Sequence, residues 1–191
     1  MIITYYGGTC FRLQSGSQSI LIDPETKRLK ADVTLRTAMS TSTFASEEGA
    51  DEEFIFPGEY ELKGIEIQGI AVDEESDEKR LKTIYVVHWE EVTFAFLGAI
   101  AKLPSAVLLE VLSQVEVLFL PAAHGARGLS AEEAVKMVRQ IEPALVVPSY
   151  EKTPADFLKA MGQKGEPEEK FVFKKKDLVS EKMKVLYLTI N

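Results

Sequence analysis

The chain carries one cysteine, Cys10, and one tryptophan, Trp89, among 191 residues. A lone thiol excludes an internal disulfide and suits a reducing interior. Histidine is almost as scarce, with only His88 and His124. No apolar run approaches the roughly 18 residues that cross a bilayer as a helix. The first residues, Met1–Tyr6, have no basic flank and no small-residue cleavage site, so they read as a strand and not as a signal peptide. Basic residues are in deficit, with 22 Lys and Arg against 30 Asp and Glu, for a formal charge of −8. A nucleic-acid partner is therefore disfavoured, because a phosphate-binding surface needs clustered cations. The one basic run, Lys174–Lys176, is followed at once by Asp177 and is read as a solvated loop or strand end. These absences set the expectations: a cytoplasmic protein with no membrane contact and no nucleic-acid partner.

What remains is an ordinary globular composition. A 46% hydrophobic fraction over 191 residues supplies a sizeable core. No linker, repeat or low-complexity tract divides the chain, so residues 1–191 are read as a single domain. The first third is strand-like: "IITYY", "CFRLQ" and "SILI" are β-rich runs separated by Gly7-Gly8 and Ser15-Gly16-Ser17. Ile65, Ile67 and Ile70, interleaved with Glu66 and Gln68, approximate a half-buried strand after a Lys63-Gly64 turn. "AVDEESDEKRLK" then reads as an acidic loop with solvated carboxylates, and after it "TIYVVH" and "VTFAFLG" flank Trp89-Glu90-Glu91 as a hairpin.

The second half alternates. "PSAVLLEVL" suits a short helix, while "VEVLFLP" and "PALVVP" suit buried strands. Ser130 to Glu133 matches a capping box, and Ala134, Met137, Val138 and Ile141 then share one helical face. Thr153 is expected to cap another helix with Pro154 at its first position. "KFVFK" and "KVLYLTI" end the chain as strands. Strand meanders followed by alternating helix and strand predict an α/β, α+β layered domain.

Several of these segments resemble the metallo-β-lactamase fold, in its compact bacterial Zn-dependent hydrolase branch, similar to ascorbate-phosphate lactonases. The residues that carry the resemblance are "YYGGTCFRL…ILIDP", "ADVTL", "FPGEYELKGIEIQGI", "TIYVV…FLG", "VEVLFLP", "LSAEEAVKMVRQIEPALVVP" and "FLKAMG…KFVFKKKDL", in the family's order over almost the whole chain. The resemblance implies an αββα sandwich with a site at one edge of two sheets. Glu59, in "FPGEYEL", is a signature of that fold and not a catalytic group.

The resemblance also implies a His-x-His-x-Asp-His loop after "ADVTL". The matching positions here are Ala38, Ser40, Ser42 and Thr43. Zinc takes imidazole, thiolate or carboxylate ligands, usually three from the protein in a catalytic site, and a methyl group with three hydroxyls supplies none. Where the family has a bridging carboxylate after the hairpin strand, Gly98 is followed by Ala99. Tyr150 stands at the place of a further family histidine. The expected protein is therefore a metal-free pseudoenzyme without a cofactor, keeping a binding or assembly role.

Two other readings stand beside it. One is a hydrolase of this superfamily with relocated catalytic residues, using His124. The other is an interaction module that retains a self-association surface as a homo-oligomer. A serine hydrolase built on Ser40, Ser42 or Ser149 with His124 lacks a Gly-x-Ser-x-Gly elbow. Cys10 is read as a buried structural thiol and His88 as a surface residue. The vacated cleft is expected to be lined by Ser40, Ser42, Thr43, Ser149 and Tyr150, with His124 and Arg127 near its mouth. It would either receive a small polar or anionic ligand, or a protein partner, or be collapsed inward over Ala38, Met39 and Ala99.

Overall fold

The computed structural model describes residues 1–26, 28–40, 53–54, 56–123, 128–178 and 182–191. Along the chain the described strands are β1 (Ile2–Gly7), β2 (Cys10–Ser15), β3 (Gln18–Ile22), β4 (Val33–Leu35), β5 (Ala38–Ser40), β6 (Glu53–Phe54), β7 (Gly58–Leu62), β8 (Ile65–Ala71), β9 (Arg80–Trp89) and β10 (Val92–Phe96). Helix α1 (Ala106–Leu112), β11 (Val117–Ala123), α2 (Ala131–Ile141), β12 (Leu145–Tyr150), α3 (Ala155–Ala160), β13 (Lys170–Val172) and β14 (Lys184–Val185) complete it.

The strands form two sheets. A six-stranded sheet runs β13-β1-β2-β3-β4-β6, and an eight-stranded sheet runs β14-β12-β11-β10-β9-β8-β7, with β5 attached to the start of β9. Short turns dictate the antiparallel parts. Lys63 (φ 54°) and Gly64 (φ 78°) join β7 to β8, and Glu90 (φ 49°) and Glu91 (φ 64°) join β9 to β10. Two left-handed residues match the twist of a hairpin, and a glutamate pays for that conformation with Cβ crowding. The β9–β10 turn is held from outside: Ser15 Oγ donates to Glu90 Oε2 at 2.7 Å and Lys175 Nζ donates to Glu91 O at 2.7 Å. Lys175 also pairs with Glu116, so the middle residue of the basic run is tied down and not merely solvated. The parallel strands β11 and β12 are buried on both faces, which is why they read as unbroken apolar runs.

Alternation along the strands divides the interior into two cores. Ile3, Tyr5, Phe11, Leu13, Ile20 and Ile22 of the smaller sheet meet Ile67, Tyr85, Val87, Phe94, Phe96 and Phe119 of the larger one. On the other face of the larger sheet, Ile84, Ala95, Leu118, Leu120 and Val146 pack against Leu108 and Leu112 of α1, Met137 and Val138 of α2, and Phe157 of α3. Each such side chain contributes about 1.5–3 kcal/mol when buried. Two β layers face each other and the described helices cover the larger sheet, the mixed α/β sandwich that the resemblance implies.

The helix ends follow local chemistry. Ser130 Oγ accepts from Glu133 N at 3.2 Å while Ser130 N donates to the Glu133 carboxylate at 2.9 Å, so both halves of the capping box form. Ser105 caps α1 in the simpler way, accepting from Leu108 N. The cap expected at Thr153 does not form. Helix α3 begins one residue later, Pro154 takes the cap position, and no side-chain cap bond is made.

Candidate functional site

Four strand ends meet at one corner of the sandwich: those of β3, β4, β10 and β12. The chain leaves β3 through Asp23, a left-handed residue with φ 44°, before Pro24. From there the Asp23 carboxylate reaches the segment that follows β4. Its Oδ1 accepts from Thr37 N at 2.7 Å and its Oδ2 from Thr37 Oγ1 at 2.5 Å. Thr37 O in turn accepts from Thr83 N of β9 at 2.9 Å. One buried threonine thus joins the two sheets where β5 begins. Burial raises the Asp23 carboxyl above its ordinary value, against the lowering effect of the Thr37 and Thr9 hydrogen bonds. Arg36 frames the same turn, donating to Pro24 O at 2.6 Å and pairing with Glu53 at 2.5 Å.

The third strand end brings Gly98 onto Thr37. Gly98 has φ 61°, and a Cβ placed there would lie 2.5 Å from the Thr37 Cβ. Only glycine allows this approach with that backbone. The next residue, Ala99, presents a methyl group, and its carbonyl accepts from Lys82 Nζ at 2.7 Å.

The fourth end is Tyr150. Its backbone forms an isolated bridge with Gly8. Tyr5 Oη accepts from Tyr150 N at 2.9 Å and donates to Tyr150 O at 2.6 Å, and the Tyr150 phenol donates to Leu188 O at 2.5 Å. Burial pushes that phenol up to about 12. Its ring continues an aromatic column through Tyr5, Phe11, Phe119 and Phe96, with centroids 4.6 to 5.0 Å apart. Cys10 lies under the same corner, buried, and desolvation raises its thiol to about 12. A thiol so placed is not a nucleophile near neutral pH.

Of the residues singled out from the sequence, Ser40 ends β5 opposite Arg80, at an exposed position. Ser149 and Tyr150 are buried at 2% and 3% exposure, with Ser149 Oγ donating to Leu120 O at 3.3 Å. Ser42, Thr43, His124 and Arg127 lie outside the described residues, as does the stretch 41–48 that follows β5. His88 is exposed on β9, with Nδ1 3.2 Å from Thr93 Oγ1, as a surface histidine. Among the described residues, no group of three His, Cys, Asp or Glu side chains is arranged to hold a metal ion.

Sequence reasoning overlooks the residues that organise this corner. Asp23 ends the stretch "ILID" before Pro24, and an Asp-Pro directly after an apolar strand is a turn signal that marks a side chain bonding its own neighbourhood. Thr37 and Tyr5 carry no comparable signal. Their role depends on partners 14 and 145 residues away.

The two-sheet fold agrees with what similar proteins show. A family profile described as a β-lactamase superfamily domain matches residues 2–150. The chain belongs to this family. Several solved structures align with the chain over most of its length. A candidate Zn-dependent hydrolase of the metallo-β-lactamase superfamily from Thermotoga maritima is 21% identical, covers 98% of this chain and 97% of its own, and superposes with a TM-score of 0.77. A metallo hydrolase from the archaeon Ignicoccus hospitalis is 17% identical over 91% of this chain and 99% of its own, at a TM-score of 0.66. The isothiocyanate hydrolase from Delia radicum gut bacteria is 15% identical over 91% and 99%, at 0.62. Such likeness establishes the superfamily fold. No curated protein matches the chain.

Proposed function

We propose that this chain is a metal-free, non-catalytic member of the superfamily that keeps a binding or assembly role. The observation that carries the reading is Tyr150. Where the resemblance implies a family histidine, the chain has a buried phenol, held protonated and committed to the Leu188 carbonyl. The neighbouring positions agree with it. Ala38 and Ala99 have no donor atom, and Ser40 offers a neutral hydroxyl, a poor partner for zinc, iron or manganese beside imidazole or carboxylate. The donor set does not fit the ion that the fold family implies. The reactions of such hydrolases need a metal-activated water, and these side chains are not suited to hold the ion that would activate it. The buried Ser149 and Tyr150 hydroxyls support a cleft that is filled at this strand end in preference to an open one.

Metal analysis of protein purified without chelator tests the proposal, together with phosphodiester, lactone and β-lactam hydrolysis with and without added zinc or manganese. Substoichiometric metal and turnover at the buffer blank are expected. Stoichiometric metal lost on Ser40→Ala, or metal-dependent turnover well above the blank, overturns the reading. A thermal-shift screen with sugar phosphates and nucleotides looks for the retained binding role.

A further inference from the structure

The helices cover only part of the larger sheet. Beyond the Ile70–Ile84 pair, the same face of β7, β8 and β9 continues toward the hairpin turns as two open rows, Glu59–Gln68–Val86 and Glu61–Glu66–His88. A groove of about 490 Å³ runs over these six residues. The three glutamates, Gln68 and His88 are exposed. Glu61 and Glu66 stand directly opposite each other, an arrangement of like charges that disfavours strand pairing. Among the described residues no ion pair joins Glu59, Glu61 or Glu66 to a cation. The His88 ring turns to Thr93 Oγ1 at 3.2 Å. Strand β7 is also the last of its sheet, so its outer edge has no strand partner among the described residues.

Lys63 and Gly64 form a two-residue hairpin turn. In such a hairpin the flanking pair, Leu62–Ile65, exchanges both backbone hydrogen bonds, and the alternate pairs Glu61–Glu66 and Glu59–Gln68 exchange none. Pairs of the second kind have the closer spacing, about 4.5 Å at Cα, which sharpens the repulsion between Glu61 and Glu66. The same alternation turns the N–H and C=O of Glu59 and Glu61 to the free edge, on the residues whose carboxylates face the groove. We propose that this edge takes an extended basic segment of another protein, paired to β7 as a further strand with alternate Lys or Arg side chains over Glu59, Glu61 and Glu66. Strand addition draws affinity from backbone hydrogen bonds and selectivity from alternate side chains. The charge of the occupant follows from the face, because cations relieve the Glu61–Glu66 repulsion. A second copy joined edge to edge would set Glu59 and Glu61 against their own equivalents, and a nucleic acid would bring phosphates to carboxylates. The surface lies at the opposite end of β9 from β5, so it goes beyond the metal-free reading and stands independently of it.

Titration of the full chain with a fluorescent eight-residue peptide alternating Lys and Thr, read by anisotropy, tests the proposal. The same peptide with Glu in place of Lys is the control. Binding of the Lys peptide that weakens as salt is raised is expected, with none for the Glu peptide. Amide hydrogen exchange at Glu59 and Glu61 should slow in the complex, while that of α2 stays unchanged. The Glu61→Lys, Glu66→Lys double variant should weaken binding roughly tenfold. Glu61→Gln with Glu66→Gln decides the matter where the charge reversal does not fold. Failure of the Lys peptide to bind at low salt overturns the proposal. So does binding that leaves exchange at Glu59 and Glu61 unchanged, or that these variants do not weaken, because it reports only attraction to the net charge of −8. Self-association of the glutamine variant, without peptide binding by the parent, would show that the carboxylates only guard the edge, and that too overturns it.

Discussion

Thr37 gives Asp23 two hydrogen bonds, one from its backbone N–H at 2.7 Å and one from its hydroxyl at 2.5 Å. The pair closes the smaller sheet's exit turn onto the segment that enters β5, and Thr37 O continues the connection into β9. Replacing Thr37 with Val keeps the volume and removes the hydroxyl, leaving one carboxylate oxygen short of a partner. Denaturant unfolding should show a loss of about 1–3 kcal/mol. Asp23→Asn should stay within about 1 kcal/mol of the parent, because the amide can still accept from Thr37 N and donate to Thr37 Oγ1. Asparagine also tolerates the left-handed backbone. If Asp23→Asn and Thr37→Val cost the same, the hydroxyl contact is not the source of the stability.

Gly98→Ala places a methyl group against Thr37 at a left-handed φ of 61°. Strain and overlap together should cost about 2–4 kcal/mol. Gly162 provides the control, since its φ of 68° is similar and nothing lies within 4 Å of its Cβ position. There the cost should be about 1 kcal/mol. Melting temperatures of the two variants compare them directly, and equal shifts would show that the contact with Thr37 is not tight.

Tyr150→His restores the type of residue that the resemblance implies at this place. It also removes the bond to Leu188 O and part of the ring packed 5.0 Å from Tyr5. We expect destabilisation of about 2–4 kcal/mol and no gain in zinc. Tyr150→Phe, which keeps the ring, should lose only about 1–2 kcal/mol. Calorimetry with metal analysis of Tyr150→His checks the outcome, and tight zinc binding by that single variant would show that a usable donor set is already present.

Glu75 carries an acid dependence. Burial pushes its carboxyl up, but the Lys82 ammonium and the Ala101 and Lys102 amides outweigh it and hold the group below its ordinary 4.5. A lowered folded value contributes stability that is fully present above about pH 4.5 and disappears as pH falls through the folded value. Asp23 acts oppositely: its raised value penalises the fold as pH climbs above 3.8. Glu75→Gln isolates the first effect. Its unfolding free energy should fall less steeply than the parent's on acidification below pH 4.5, and identical slopes in urea titrations across that range would contradict the assignment.

Local rules were enough for much of this molecule. β-rich runs between glycine turns marked β1 to β3, alternation marked β8, the unbroken apolar runs marked the parallel strands β11 and β12, and Ser130 with Glu133 announced the start of α2. These features depend on residues a few positions apart, so the chain alone determines them. The residue types at Ala38, Ser40, Ala99 and Tyr150 are equally legible, because side-chain chemistry needs no coordinates, and the proposed metal-free reading starts from them. Only the tertiary structure decided which partners such residues meet. Tyr150 could have faced a cleft, yet Tyr5 and Leu188 draw it into the core from 145 and 38 positions away. Glu75 looked like one more solvated carboxylate, until the fold set Lys82 and the loop after Gly98 around it. Hydrogen bonds at such separations cannot be read from spacing. They exist only after two sheets have packed and excluded the water that would otherwise satisfy the same groups.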